Sequence, residues 1–201
     1  MATPLNTPFF IFHAAVDFFQ RGTLAAADNF KAEESGLKQF DSMVHPKLCM
    51  PIVNITFALE LVFKGLLKQS NSNPIRTHDL KKLFKELDSN IKIKIVEHYK
   101  GHDTYKKLIG IRLMHGDGTE HSKPNYLPAP SKDENGITEL LKMHRRYFED
   151  FRYLFEVDEK KEYVFLFREF SNLSFSALTV LGETLNLKVV SISKKEIKIE
   201  R

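Results

Sequence analysis

Two side chains on one turn have the chemistry for proton transfer and phosphate binding. His115 is followed at once by Gly116-Asp117-Gly118, and Arg112 precedes it at i−3. On a helix that spacing sets the two side chains next to each other. Imidazole exchanges a proton near neutral pH. A guanidinium grips phosphate through parallel N–H donors and offsets charge that develops on it. Such a pair suits RNA cleavage without a metal. His115 would activate a 2′-hydroxyl or protonate the leaving 5′-oxygen, and Arg112 would hold the phosphate. The same histidine could equally cap a helix C-terminus, where imidazolium is favourable.

His115 is one of eight histidines. His98 and His102 stand at i, i+4, the spacing of a helical metal pair, with Asp103 or His121 as a third donor. His115, Asp117 and His121 form a second such group. Neither completes a ligand set, and no metal or other cofactor is expected. His144 falls on an apolar stripe and reads as a hydrogen-bonded core histidine. There is no Walker pattern, glycine-rich phosphate loop or nucleophile elbow.

The elements that must position these groups read as helices. Thr7-Pro8 is a cap followed by proline at the first helical position, and Gly22 is the stop. Residues 23–40 add a partly helical stretch, and Pro46 and Pro51 punctuate the approach to the next helix. Residues 52–68 form that helix, almost wholly apolar and central to a bundle. Its polar side chains fall on one row: Thr56, Glu60, Lys64 and Lys68, with Glu60 N-terminal to Lys64 in the favourable order. Thr77 caps a short helix with Leu80, Leu83, Phe84 and Leu87 inward. A helix continues to Tyr99 and stops at Gly101. Another is expected over 104–115. Residues 116–136 hold three prolines and three glycines without periodicity, the signature of a functional or mobile loop. Helices are expected over 137–156 and 161–186, and the alternation after Leu187 allows a small C-terminal hairpin.

Composition agrees with one folded domain over residues 1–201. The chain is 42% hydrophobic, with 17 phenylalanines and no tryptophan, enough for a real core. A single cysteine, Cys49, removes intramolecular disulfides and cysteine-rich zinc sites. No uninterrupted apolar run reaches the ~18 residues of a membrane span, and the apolar stretch 9–16 lacks a basic flank, so a cytoplasmic protein with no membrane partner is expected. The net charge of +4 is uneven. Between Lys64 and Lys107 there are 11 Lys+Arg and 5 Asp+Glu, leaving the rest of the chain net negative. A solvated lysine-rich face explains this, and so does a polyanionic partner.

Three fragments occur in order: Phe57-Ala-Leu-Glu-Leu-Val-Phe-Lys-Gly-Leu-Leu, then Thr77-His-Asp-Leu-Lys-Lys-Leu-Phe, then Ile111-Arg-Leu-Met-His-Gly. Together they resemble the HEPN domain (higher eukaryotes and prokaryotes nucleotide-binding), with its A-x-E-x-x-x-K-x-L-L helix, its T-H-D-L helix start and a late helix ending in H-G. The resemblance covers residues 52–155. It implies an all-α helical bundle of HEPN type, with N-terminal helices over 8–40 and a C-terminal helix and hairpin over 161–200 added to that core. It also implies a homodimer and a metal-independent endoribonuclease of a prokaryotic defence or toxin–antitoxin system, with RNA, a nucleotide or an antitoxin-like protein as partner. His115 matches the catalytic histidine. The family's R-x4-6-H spacing falls on Gly110, Ile109 or Leu108, none of them arginine. Either Arg112 substitutes from the adjacent turn, or the domain binds nucleotide, RNA or protein without catalysis. Lys106, Lys107, Arg145 and Arg146 would give electrostatic support. Glu60 and Lys64 would be inward polar residues that orient the bundle, a role their sequence shares with a plain helix-stabilising ion pair.

Overall fold

The protein is described by a computed structural model over residues 7–34, 44–70, 76–102, 107–109, 111–114, 126–128, 130–145, 148, 162–192 and 197–200. It is mostly helical. Helix α1 (Pro8–Glu34) and helix α2 (Val44–Gln69) lie against each other, and α2 also packs on α3 (Leu80–Glu86) and α6 (Phe167–Thr184). Helix α4 (Ser89–Lys100) packs on α6, and α5 (Glu134–Met143) meets α3 and α4. Three short antiparallel pairs complete the described chain. They join β1 (Lys107–Ile109) to β3 (Tyr126–Pro128), β2 (Ile111–Met114) to β4 (Glu162–Phe165), and β5 (Lys188–Ile192) to β6 (Ile197–Glu200).

The apolar pattern of α2 makes it the hub. Ile52, Ile55, Leu59, Phe63 and Leu66 are fully buried, facing a core that includes Phe12 and Phe19 of α1, Leu83 and Phe84 of α3, Tyr99 of α4 and Phe170 and Leu181 of α6. The segment Cys49–Gln69 is long and apolar enough to cross a membrane even though polar residues interrupt it. Two-thirds of it is buried inside the fold, as a bundle's central helix would be.

Several boundaries differ from the sequence reading. Gly22 does not stop α1, which runs on to Glu34. A Cβ on Gly22 would sit 2.5 Å from Ile55 Cγ1 and 3.0 Å from the Pro51 carbonyl oxygen, so this glycine admits the close approach of α2. Pro46 and Pro51 lie inside α2 and do not precede it. Pro46 falls in the first turn, where a missing N–H costs nothing. The helix expected over 104–115 is replaced by β1 and β2. Around Gly110, Ile109, Ile111 and Leu113 alternate with smaller or polar neighbours, and that period of two suits a strand. The stretch 116–136 holds β3 and the start of α5. The first residues of the expected 161–186 helix form β4, rich in aromatic and β-branched side chains, and the helix proper begins at Phe167. In place of the expected 137–156 helix, α5 begins at Glu134 and closes at Met143, with His144 as its C-cap and a turn at residues 144–145.

Other local expectations are met. Thr7 Oγ1 accepts from Phe10 N at 3.2 Å, Gly101 closes α4, and β5–β6 is the C-terminal hairpin, with a bulge between Val189 and Ser191. The cap of α3 is not the expected Thr77 but Asp79, whose carboxylate accepts from Lys82 N, while Thr77 Oγ1, two residues earlier, accepts from Asp79 N at 3.1 Å.

His144 is the core histidine its position implied. It is fully buried at the C-terminal end of α5. Nδ1–H donates to the Leu140 carbonyl at 2.7 Å, and Nε2 accepts from Leu166 N–H at 3.1 Å. The ring therefore satisfies the backbone N–H of Leu166 at the start of α6, a helix whose N-cap makes no side-chain cap bond. Burial pushes its pKa down to about 4. The unfolded chain, with histidine near 6.5, binds the extra proton first as pH falls. Stability is therefore full above about pH 6.5 and declines toward pH 4, by about 1.4 kcal/mol per pH unit. Urea midpoints for wild type and His144→Gln at pH 7, 6 and 5 check this: the variant should start less stable and lose less per unit.

Two glycines give a second prediction. A Cβ on Gly136 would lie 1.7 Å from the Ser131 carbonyl oxygen, whereas one on Gly65 would meet Leu181 Cδ2 at 2.9 Å and Ile11 Cγ2 at 3.2 Å. The first obstacle is backbone, and the second is the end of a flexible side chain. Gly136→Ala should therefore lower the thermal midpoint more than Gly65→Ala, whose cost should be about 1–3 kcal/mol.

Candidate functional site

One buried carboxylate gathers the polar side chains around it. The row Thr56, Glu60, Lys64 climbs α2 from core to solvent. Thr56 is buried and closes on its own helix, its hydroxyl donating to the Ile52 carbonyl at 2.7 Å. Glu60 is 1% exposed, and Lys64 is a quarter exposed. Lys64 Nζ donates to Glu60 Oε1 at 2.7 Å, an i, i+4 ion pair.

The second partner of Glu60 comes from the start of α3. His78 Nδ1 lies 3.0 Å from both Glu60 oxygens. A carboxylate can only accept, so Nδ1 carries the hydrogen, and in the neutral imidazole Nε2 is the nitrogen with the lone pair. The His78 side chain is 47% exposed, and among the described residues Nε2 has no hydrogen-bond partner. Thr77 and Asp79 fix the backbone on either side of the ring through the turn that starts α3.

The chain beyond α5 fastens over this corner. Phe148 stacks on His78 at 5.4 Å between ring centroids and on Phe57 of α2 at 4.9 Å. Phe57 meets Phe18 of α1 edge-on at 4.7 Å. Phe148 thus stacks on both the imidazole and Phe57. Arg145 Nε reaches Asp79 Oδ2 at 3.5 Å, with half the arginine side chain exposed. The cluster presents an oriented imidazole, an ammonium and a guanidinium at one edge of the bundle.

The sequence-derived residues divide accordingly. Glu60 and Lys64 form the expected pair, and Glu60 is also inward. Arg145 joins the same corner through Asp79. Arg112 lies on β2 opposite Val164, so helical i, i+3 adjacency does not apply to it. Lys107 begins β1, opposite Pro128. His115, Lys106 and Arg146 lie outside the described residues, as do Asp103, Asp117 and His121. The sequence reading did not single out His78. Its signal was Thr77-His78-Asp79 at a helix start, one helix after an apolar segment carrying a lone glutamate.

A second buried carboxylate was equally unforeseen. Glu169 in α6 is 1% exposed and accepts a hydrogen bond from the fully buried Tyr99 hydroxyl. Burial raises the Tyr99 pKa above the usual phenol range, and the Glu169 hydrogen bond and charge raise it further, so the phenol keeps its proton. The Lys132 ammonium sits 5.4 Å over the Tyr99 ring and donates to the His102 carbonyl. His102 Nε2 is 3.2 Å from Ser176 Oγ, and His98 Nε2 is 3.0 Å from Glu183 Oε1. The two histidines considered as a metal pair are thus each engaged by α6. Among the described residues no group of three His, Cys, Asp or Glu side chains could hold a metal ion.

No family model, curated protein or solved structure matches the chain.

Removing one member of a buried ion pair strands the other, whereas removing both leaves apolar packing. Lys64→Met should cost about 2 kcal/mol, short of a fully buried pair because Lys64 is partly exposed. Adding Glu60→Leu should restore part of that loss. Urea unfolding of the two single variants and the double variant measures it.

Proposed function

We propose that this chain is a HEPN-like protein directed at RNA: a metal-independent endoribonuclease of a prokaryotic defence or toxin–antitoxin system, acting as a cytoplasmic homodimer. One observation carries the reading. The polar residues of two fragments behind the resemblance, Glu60 and Lys64 from the first and His78 and Asp79 from the second, converge on one corner although 18 residues separate Glu60 from His78. Packing alone does not require a fully buried carboxylate with a lysine and a histidine on it. The basic excess between Lys64 and Lys107 supports a polyanionic partner. In this reading His115 and Arg112 are the acid–base and phosphate groups that the resemblance implies, supported by Lys106, Lys107, Arg145 and Arg146.

A second reading, a HEPN-like module that binds RNA, nucleotide or protein without turnover, draws on two observations. Gly110 occupies a position where the family pattern has arginine, and Arg112 lies on a strand.

Incubation with total RNA in EDTA, beside His115→Ala and Arg112→Ala, separates the two. The endoribonuclease reading expects fragments from wild type and at least about 100-fold slower cleavage by His115→Ala. Salt-sensitive RNA binding without fragments would support the binding module. Neither binding nor cleavage would refute both.

A further inference from the structure

The Glu60–His78 pair has a geometry that its structural role leaves unexplained. Glu60 could be neutralised by Lys64 alone, which already reaches it at 2.7 Å. Instead it also holds His78 at Nδ1 through both oxygens, at 3.0 Å each. This fixes the imidazole tautomer, and stacking on Phe148 fixes the ring plane. The outcome is an oriented ring whose Nε2, the lone-pair nitrogen of the neutral imidazole, has no partner among the described residues and belongs to a side chain 47% exposed. The buried His144 of this same fold, by contrast, has both nitrogens engaged. A carboxylate on Nδ1 with Nε2 left for a reactant is the arrangement by which a general base is oriented, and the imidazolium that forms is stabilised by the charge behind it.

We propose that His78, in the place that the resemblance gives to His115, is the acid–base residue of this protein, acting through Nε2 on the phosphodiester of single-stranded RNA, with Glu60 as its positioning residue. The substrate class rests on the RNA-directed reading above. Nε2 takes the proton of a 2′-hydroxyl, and the 2′-oxygen forms its bond to phosphorus. The phosphorus–5′-oxygen bond breaks, and the imidazolium returns the proton to the departing 5′-oxygen. A 2′,3′-cyclic phosphate and a 5′-hydroxyl result, with no metal or further reactant needed. The ammonium of Lys64 and the guanidinium of Arg145 flank the corner from α2 and from the chain after α5, where the charge on the phosphate would develop. Phe148, stacked on the imidazole and on Phe57, holds the imidazole in place.

The test uses the full chain and a fluorescent single-stranded RNA in EDTA, with wild type, His78→Gln, His78→Asn, Glu60→Gln and His115→Ala. RNA binding and thermal midpoint are measured for each. Wild type should yield the cyclic phosphate and leave a 2′-deoxy substrate intact. At least one His78 variant that melts and binds RNA as wild type does should cleave at least about 100-fold more slowly. Glu60→Gln should lower kcat with little change in KM, a split that mere loosening of the fold would not produce. Folded His78 variants cleaving within threefold of wild type would overturn the assignment while leaving the RNA-directed reading standing, the more so if His115→Ala is inactive. RNA binding by wild type without cleavage would overturn it in favour of the binding module. Neither binding nor cleavage by wild type would remove the RNA-directed reading and this proposal together.

Discussion

A buried carboxyl group in the middle of the most apolar helix is the constraint around which one side of the bundle is arranged. Moving such a group out of water costs several kcal/mol unless partners with good geometry replace the lost solvation. Helix α2 cannot supply enough of them itself, because its other faces are taken by Ile55, Leu59, Phe63 and Leu66. Lys64 comes from the next turn, and everything else must be brought in. His78 is delivered by the turn that starts α3, so α3 must approach α2 at that end. Asp79, one residue on, caps α3 and receives Arg145, while Phe148 closes over His78 and rests on Phe57. The positions of α3 and of the chain after α5 thus follow from satisfying one glutamate.

Close approach of the three long helices is the complementary constraint. Gly22 lets α1 meet α2 beside Ile55. Gly65 lies where Ile11 of α1 and Leu181 of α6 both reach the same point of α2, and Gly182 leaves room for Phe12 and for the chain turning back toward β5. A helix interior glycine is costly in isolation. Here the packing of Phe12, Phe19, Phe63 and Phe170 that such contacts permit offsets that cost.

These two constraints explain what the sequence made legible and what it hid. Apolar periodicity located α2 as the hub, α3 with Leu80, Leu83 and Phe84 inward, and α4 to Tyr99, because burial of one face leaves its own spacing in the chain. It also placed His144 in the core. Boundaries failed where a residue's local meaning was overridden by a neighbour distant in sequence. Gly22 reads as a stop until Ile55 stands against it, and Pro51 reads as a break until α1 covers the helix around it. The strands β1 and β2 were misread because short apolar runs fit either period, and only their partners Tyr126–Pro128 and Glu162–Phe165 decide between them. In the candidate site, Glu60–Lys64 was readable because both lie on one helix. His78 was not, since nothing local to Thr77-His78-Asp79 states that a glutamate 18 residues earlier will be buried beneath it.

The two buried glutamates show why one of these corners faces outward chemistry and the other does not. Glu169 meets a phenol that burial and the glutamate itself keep protonated, so Tyr99 and Glu169 form a pair with no group left for a reactant on the tyrosine side. Both side chains are sealed in the core between α4 and α6, and the second oxygen of Glu169 has no hydrogen-bond partner among the described residues. Such a pair ties two helices together. Glu60 instead spends both oxygens on partners that lead out of the core, a lysine a quarter exposed and a histidine about half exposed. The carboxylate is hidden while its hydrogen bond reaches the surface through an imidazole whose outer nitrogen has no partner among the described residues. Burial of the carboxylate strengthens that coupling, because the field of a charge is least screened in the interior. Equal burial therefore has opposite consequences: the partner's chemistry, a phenol that retains its proton or an imidazole that exchanges one, decides whether a buried acid serves the fold or a site.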